Sequence, residues 1–310
     1  MKIFILDSFF ETGVDYAARH AEVVRWDNPA VNGWRDDADG LLVRLTRITA
    51  EDFARSRRLK AIGKQGVGVE NIDLDAARAH GVIVCNTPGV NAEAVAEMAM
   101  ALALAVNRRV AEFDREVRSG RTVDRSRLLG REMWQKIVGV IGMGHVGTRV
   151  ARKWHAAFDT RIVAYDPFVP ADHWAGIPHE RAQSLAELLP QVDLLTLHLP
   201  LTPQSRGLIG ARELAAMKPG AVLVNTARGG IVDEAALLAA LRSGQLAGAG
   251  LDVFDVEPPT TESPLVGMPT VVSTPHAAGS SIETQRRIAL VTAEQLVDVL
   301  AGKPALNRVA

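Results

Sequence analysis

An apolar run, Ile137-Val138-Gly139-Val140-Ile141, passes directly into Gly142-Met143-Gly144-His145-Val146-Gly147. A Gly-x-Gly-x-x-Gly pattern means little alone, but one that ends a strand and opens a helix permits few folds. Gly142 allows a tight turn, Gly144 lets a pyrophosphate approach the backbone, and Gly147 lets the helix lie close on the strand. The first amides of that helix then form a phosphate site. The next strand candidate, Arg161–Asp166, ends in a carboxylate about twenty residues past the glycines, where an acid accepts hydrogen bonds from the adenosine ribose and repels a 2′-phosphate. The expected cofactor is NAD(H) rather than NADP(H). A competing reading has Asp166 merely capping the turn before Pro167.

Around this motif, short β-branched runs alternate with amphipathic helical stretches, the pattern of parallel sheets built from βαβ units. The first series of strand candidates is Lys2–Asp7, Glu22–Trp26, Gly40–Leu45, Lys60–Lys64 and Val82–Asn86. Pro88-Gly89 interrupts it, and a long Ala-rich helix is expected from about Asn91 to Ser119. An Arg-rich connector, Arg121 to Gly130, leads into the second series: Ile137–Gly142, Arg161–Asp166, Leu194–His198, Ala221–Asn225, Ala247–Asp252 and Thr270–Ser273. These strands are almost continuously apolar, as parallel strands covered on both faces are. Two such units in series imply a cleft between two domains. On pattern alone, a final helix at Ser281–Ala301 fits either one.

Composition narrows the partners. With 35 basic and 36 acidic residues the net charge is -1, which lacks the basic field that nucleic acid or a membrane surface would need. The N-terminus turns polar too soon for a signal peptide, and the longest apolar stretch, Met98 to Val106, is well short of a membrane span. The lone Cys85 lies in an apolar run and reads as a buried strand thiol. A soluble cytoplasmic protein is expected, with no metal.

Three motifs lie at the carboxyl ends of later strands, where open α/β sheets bind ligands. In Asn225-Thr226-Ala227-Arg228-Gly229-Gly230, an arginine between a strand and glycines is placed to aim its fork at a carboxylate. Asp252-Val253-Phe254-Asp255-Val256-Glu257-Pro258 holds three acids, and Pro275-His276-Ala277-Ala278-Gly279 holds a histidine. Singly, each has an ordinary explanation: a surface charge, a turn, a satisfied loop residue. Spacing alone does not place Glu257 beside His276. Their order behind a dinucleotide motif is what gives them weight.

With Gly66-Val67-Gly68-Val69-Glu70-Asn71-Ile72-Asp73 added, these motifs resemble the D-isomer-specific 2-hydroxyacid dehydrogenases over nearly the whole chain. The resemblance implies that Arg228 binds substrate, His276 is the acid/base, and Glu257 is its carboxylate partner. Asp252 resembles the aspartate near the nicotinamide carboxamide. His145, Val146, Asp166, His198, Pro200, Thr226, Ala227 and Gly279 fall on cofactor-contacting positions, together with Gly142, Gly144 and Gly147, Arg228 and His276. Val67 and Gly68 resemble the loop whose amides hold the substrate carboxylate, with Asn91 near the same pocket. Arg44 and Arg47 face a second anionic group on the substrate or, equally, only solvent. Relatives that oxidise formate carry glutamine where Glu257 stands, which sets this chain apart from them.

The family's fold implies an α/β architecture of two doubly wound parallel-sheet domains. A Rossmann NAD-binding domain, 97–280, would be inserted in a discontinuous flavodoxin-like substrate domain, 1–96 and 281–310, and the long helix would build a homodimer. The implied activity is NAD-dependent interconversion of a small 2-keto acid and its D-2-hydroxy acid. Glyoxylate or hydroxypyruvate leads as substrate. D-3-phosphoglycerate is the alternative, and an NAD-sensing corepressor-like protein is the rival class.

Overall fold

The computed structural model describes residues 1–120, 122–126 and 128–310. Of the expected connector, Arg121 and Arg127 lie outside the described residues. The chain divides into two compact units, Met1–Asn91 with Ser280–Ala310, and Ala92–Gly279. No described helix is long and apolar enough to cross a membrane.

The first unit carries five parallel strands, β1 (Lys2–Ile5), β2 (Glu22–Val24), β3 (Gly40–Val43), β4 (Ala61–Lys64) and β5 (Ile83–Cys85). Their order is β2-β1-β3-β4-β5, that of flavodoxin-like sheets. Side chains alternate between two cores. Phe4, Leu41, Val43 and Ile62 face one side, while Ile3, Ile5, Leu42 and Ala61 face the other. The second core is closed by the helix Ile282–Leu300, which supplies Ala289, Ala293, Leu296 and Val297. Ser281 caps that helix by accepting from Thr284 N. Cys85 is buried in β5, and burial pushes its thiol up.

The second unit holds seven parallel strands: β6 (Ile137–Ile141), β7 (Arg161–Tyr165), β8 (Glu180–Arg181), β9 (Leu194–Leu197), β10 (Ala221–Asn225), β11 (Leu246–Leu251) and β12 (Val271–Ser273). The order is β12-β11-β10-β9-β6-β7-β8. It extends the dinucleotide-binding order by one strand and reverses direction between β6 and β9. The two-residue β8 is too short to leave a pattern in the sequence. One face buries Leu195, Leu197, Leu223 and Ile141. The other buries Val138, Val140, Val222 and Val224 against Trp154 and the helix starting at Ala92.

The single helix expected from 91 to 119 is two, Ala92–Asn107 and Val110–Arg118. Arg109 between them is left-handed, with φ 56. The chain's own contacts impose the break. The Asn107 carbonyl, which would accept from the next helical turn, instead accepts from Arg131 N at 2.7 Å. Helical periodicity continues through the break because the apolar spacing resumes in register, so the sequence conceals it.

In the first unit, the helix Glu11–Ala18 crosses Ile282–Leu300 at a point where only glycine fits. A Cβ on Gly13 would lie 2.5 Å from the Ala289 carbonyl oxygen. Gly13→Val should therefore lower stability by about 1–3 kcal/mol, the usual cost of overpacking. Urea titration followed by circular dichroism measures it; an unchanged midpoint would mean that this crossing does not constrain the unit.

Candidate active site

All seven strands of the second unit are parallel, so their carboxyl ends share one edge of the sheet. Gly142 lies just past β6, and its φ of 87 suits glycine. A Cβ there would collide with the His198 carbonyl, and a Cβ on Gly147 would collide with the Gly142 carbonyl. Both glycines are thus required by the protein itself. Gly144 differs: a Cβ there meets nothing within 4 Å. Its surroundings are open where a pyrophosphate would approach, just before the helix His145–Phe158.

Asp166, the residue after β7, is only 7% exposed. One carboxylate oxygen accepts from Met143 N inside the glycine loop at 2.8 Å. The other accepts from Phe168 N at 2.9 Å and Val169 N at 3.1 Å. Asp166 therefore does cap the turn after Pro167 and also braces the glycine loop. A carboxylate has about four lone-pair sites, so capacity for a ribose hydroxyl remains.

Just past the ends of β9 and β10, His198 Nδ1 and Thr226 Oγ1 are buried without a hydrogen-bond partner among the described residues. The His198 ring hydrogen-bonds through Nε2 to the Thr196 hydroxyl at 2.8 Å. Burial pushes its pKa down to about 3, so it is neutral at physiological pH. Open space at Gly144, two unpartnered polar atoms and a spare acceptor site on Asp166 together fit a dinucleotide. Pro200, just beyond β9, is exposed and offers its carbonyl to Ser205 Oγ.

A second cluster occupies the ends of β10, β11 and β12. The Asn225 side chain clamps the turn after β10, accepting from Ala227 N at 3.0 Å and donating to the Arg228 carbonyl at 2.9 Å. Arg228 Nη1 donates to the Ala227 carbonyl at 2.7 Å, and Gly230 N donates to Asp255 at 2.6 Å. Gly229 is required because a Cβ there would collide with the Phe254 carbonyl.

Asp252, 1% exposed, gathers the histidine loop. It accepts from Thr274 Oγ1 at 2.5 Å, Ala277 N at 2.7 Å and Ala278 N at 2.9 Å. Its own carbonyl accepts from His276 N at 2.7 Å. Held on both sides, His276 adopts φ 54, a left-handed conformation that costs an ordinary residue about 1–2 kcal/mol. Its ring then meets Glu257, with Nδ1 2.7 Å from Oε2. The other Glu257 oxygen accepts from Phe254 N at 3.1 Å. The histidine side chain remains 47% exposed. The three acids thus have separate tasks: Asp252 holds the histidine loop, Asp255 the glycines after Arg228, and Glu257 the imidazole. Asn225 and Asp255 lie inside the motifs, but nothing in the sequence marks either of them as a site residue.

The remaining expected residues belong to the first unit. Gly66-Val67-Gly68 follows β4, and Val67 is 42% exposed. Arg44 follows β3, where Asp7 accepts from Arg44 N at 2.6 Å and from Thr46 N and Oγ1. Asn91 closes the unit's first segment.

These features define the second unit as a dinucleotide-binding α/β domain with an imidazole–carboxylate pair at its strand ends. Residues 100–278 match the D-isomer specific 2-hydroxyacid dehydrogenase NAD-binding domain, and the chain belongs to that family. It is 41% identical over 272 residues to D-3-phosphoglycerate dehydrogenase of Methanocaldococcus jannaschii, covering 87% of this chain and 51% of that protein. The chain spans about half the length of several curated relatives it matches. Among solved structures, a protein from Thermus thermophilus is 38% identical with a TM-score of 0.89, covering 100% of both chains. A glyoxylate reductase from Paecilomyes thermophila is 27% identical with a TM-score of 0.85, covering 100% of this chain and 98% of that one.

The buried imidazole of His198 gives a pH signature. Its folded pKa lies below the unfolded value of 6.5, so the unfolded chain binds the extra proton and stability falls as pH drops from about 6.5 towards about 3. His198→Asn, which cannot titrate, should flatten that part of the stability–pH curve relative to the parent. Parallel curves for the two proteins in urea titrations across this range would contradict the assignment.

Proposed function

We propose that the chain is an NAD-dependent dehydrogenase that interconverts a 2-keto acid and its D-2-hydroxy acid. The observation that carries this reading is the 2.7 Å contact between His276 Nδ1 and Glu257, on the same sheet edge as Arg228 and the glycine loop. An ionised carboxylate only accepts, so Nδ1–H donates to it and Nε2 is left for proton exchange with substrate. In the reducing direction Nε2 of the imidazolium donates its proton to the ketone oxygen, and Glu257 stabilises the charged ring until then. In the oxidising direction the neutral Nε2 takes the hydroxyl proton. Arg228 grips the substrate and offsets charge developing on its oxygen. In the first unit, the amides of Val67 and Gly68 are assigned to the substrate carboxylate, and Asn91 is assigned as a further substrate-binding residue.

Gly142, Gly144, Gly147, His145 and Val146 would hold the pyrophosphate, and Asp166 the ribose. His198, Pro200, Thr226, Ala227, Asp252 and Gly279 would line the rest of the cofactor. When bound, the nicotinamide supplies or receives the hydride. Asp252 serves mainly by fixing the His276 loop, since its oxygens already accept from that loop.

For substrate, D-3-phosphoglycerate takes precedence over the glyoxylate or hydroxypyruvate expected from the sequence. Its support is the name carried by relatives at 37–45% identity, together with Arg44 and Arg47 flanking the β3 loop.

NADH absorbance with 3-phosphohydroxypyruvate, hydroxypyruvate, glyoxylate and pyruvate, and NADPH as control, separates these readings. His276→Ala should lower turnover by at least about 100-fold, as loss of a general acid does, while NADH binding persists. Near-normal turnover in that variant would remove His276 from the chemistry. Tight NADH binding without turnover on any acid would favour a sensor.

We also propose a homodimer, supported by exposed apolar side chains around the second helix of the broken pair: Val110 at 54%, Val117 at 69%, Leu129 at 72% and Trp134 at 62%. Light scattering should give twice the 33.3 kDa chain mass, falling to the monomer in Val117→Asp. A monomeric parent would contradict it.

A further inference from the structure

The loop Gly66-Val67-Gly68 is not part of a strand, and Gly66 has φ 107, yet a loop that presents amides to a carboxylate must be held still. Two residues after β5 hold it. Thr87 accepts from Gly66 N at 2.9 Å through its hydroxyl, and Thr87 N donates to the Gly66 carbonyl at 3.0 Å. Asn86 Nδ2 donates to the Val67 carbonyl at 2.7 Å. Asn86 itself stands past the end of a three-residue edge strand, with no neighbouring strand on its outer side to fix it.

That side is covered by the segment after the final helix. Val309 N donates to the Val84 carbonyl at 2.8 Å, and Val84 N to the Ala310 carbonyl at 3.2 Å. The Asn86 backbone is then bound at both of its groups. Its N–H donates to the Asn307 carbonyl at 3.2 Å, and its carbonyl accepts from Gln295 Nε2 at 3.2 Å. The triangle closes where Asn307 Nδ2 donates to Gln295 Oε1 at 3.1 Å. Asn86 and Gln295 are 8% and 7% exposed. Asn307 is left-handed, with φ 53, a conformation asparagine adopts more readily than most residues.

From this closed network we infer that Asn307 and Gln295 are positioning residues for the substrate carboxylate, acting through Asn86 on the Val67–Gly68 amides. The inference rests on the reading, proposed above, that those amides receive the carboxylate.

The test uses Asn86→Ala, Asn307→Gly, which keeps the left-handed backbone accessible, and Gln295→Met, which keeps the volume and removes the hydrogen bonds. With 3-phosphohydroxypyruvate and hydroxypyruvate as probes, each variant should raise KM by about three- to tenfold, the net worth of one hydrogen bond. Turnover and NADH affinity should stay within about twofold, a split that general loosening of the fold does not produce. Because the action passes through Asn86, Asn86→Ala combined with Asn307→Gly should raise KM no more than Asn86→Ala alone. If Asn86→Ala raises KM but Asn307→Gly and Gln295→Met do not, or if the effects multiply, the inference is overturned while the carboxylate loop stands. If Asn86→Ala leaves KM unchanged, the reading of the loop itself fails.

Discussion

The Asp252 carboxylate is the tie on which the histidine loop of the second unit depends. Almost wholly removed from water, it can remain there only because three donors converge on it, one hydroxyl and two amides, all from the loop that carries His276. The loop has no regular structure of its own. What gives it one shape is the demand of a buried charge for partners, and that shape includes the left-handed backbone of His276. The imidazole consequently reaches Glu257, whose second oxygen is anchored to Phe254 N. A surface His–Glu pair contributes little to stability; its value here is orientation, leaving one ring nitrogen directed by the fold rather than by chance.

The same economy recurs around the sheet edge. Asp166 stabilises the glycine loop and the turn after Pro167 with one carboxylate, Asn225 closes the turn that carries Arg228, and Asp255 fixes the glycines beyond it. Each is a short polar side chain at a strand end satisfying amides that the sheet leaves over. In the first unit Asp7 does this for the β3 loop and Thr87 for Gly66, while the Asn86 side chain donates to the Val67 carbonyl.

Much of this was legible in the sequence because parallel strands covered on both faces must be apolar throughout. The runs at 137–141, 161–165 and 221–225 stand out, and the glycines after the first of them mark the strand-to-helix turn. The two-sheet α/β class follows from that alternation. What the sequence hid depends on contacts distant along the chain. Asp252 lies 25 residues before one of the amides it binds, so nothing local separates a carboxylate that organises a loop from one that contacts a ligand. The break at Arg109 is set by Arg131 reaching the Asn107 carbonyl, a tertiary event that helical periodicity does not register. Asn307 and Gln295 sit in and just before a terminal segment without any motif, and their link to Val67 passes through two intermediate hydrogen bonds.

The most direct measurement follows the hydride itself. NADH deuterated at the transferable position of nicotinamide C4 would be incubated with 3-phosphohydroxypyruvate, hydroxypyruvate or pyruvate, whose 2-hydroxy products are chiral, and the product examined by NMR and chiral chromatography. If His276, Arg228 and the dinucleotide site act together as proposed, the product is the D-2-hydroxy acid, carrying one deuterium at C2. An L or racemic product, or a product with no deuterium at C2, would contradict direct, face-selective hydride transfer at this site.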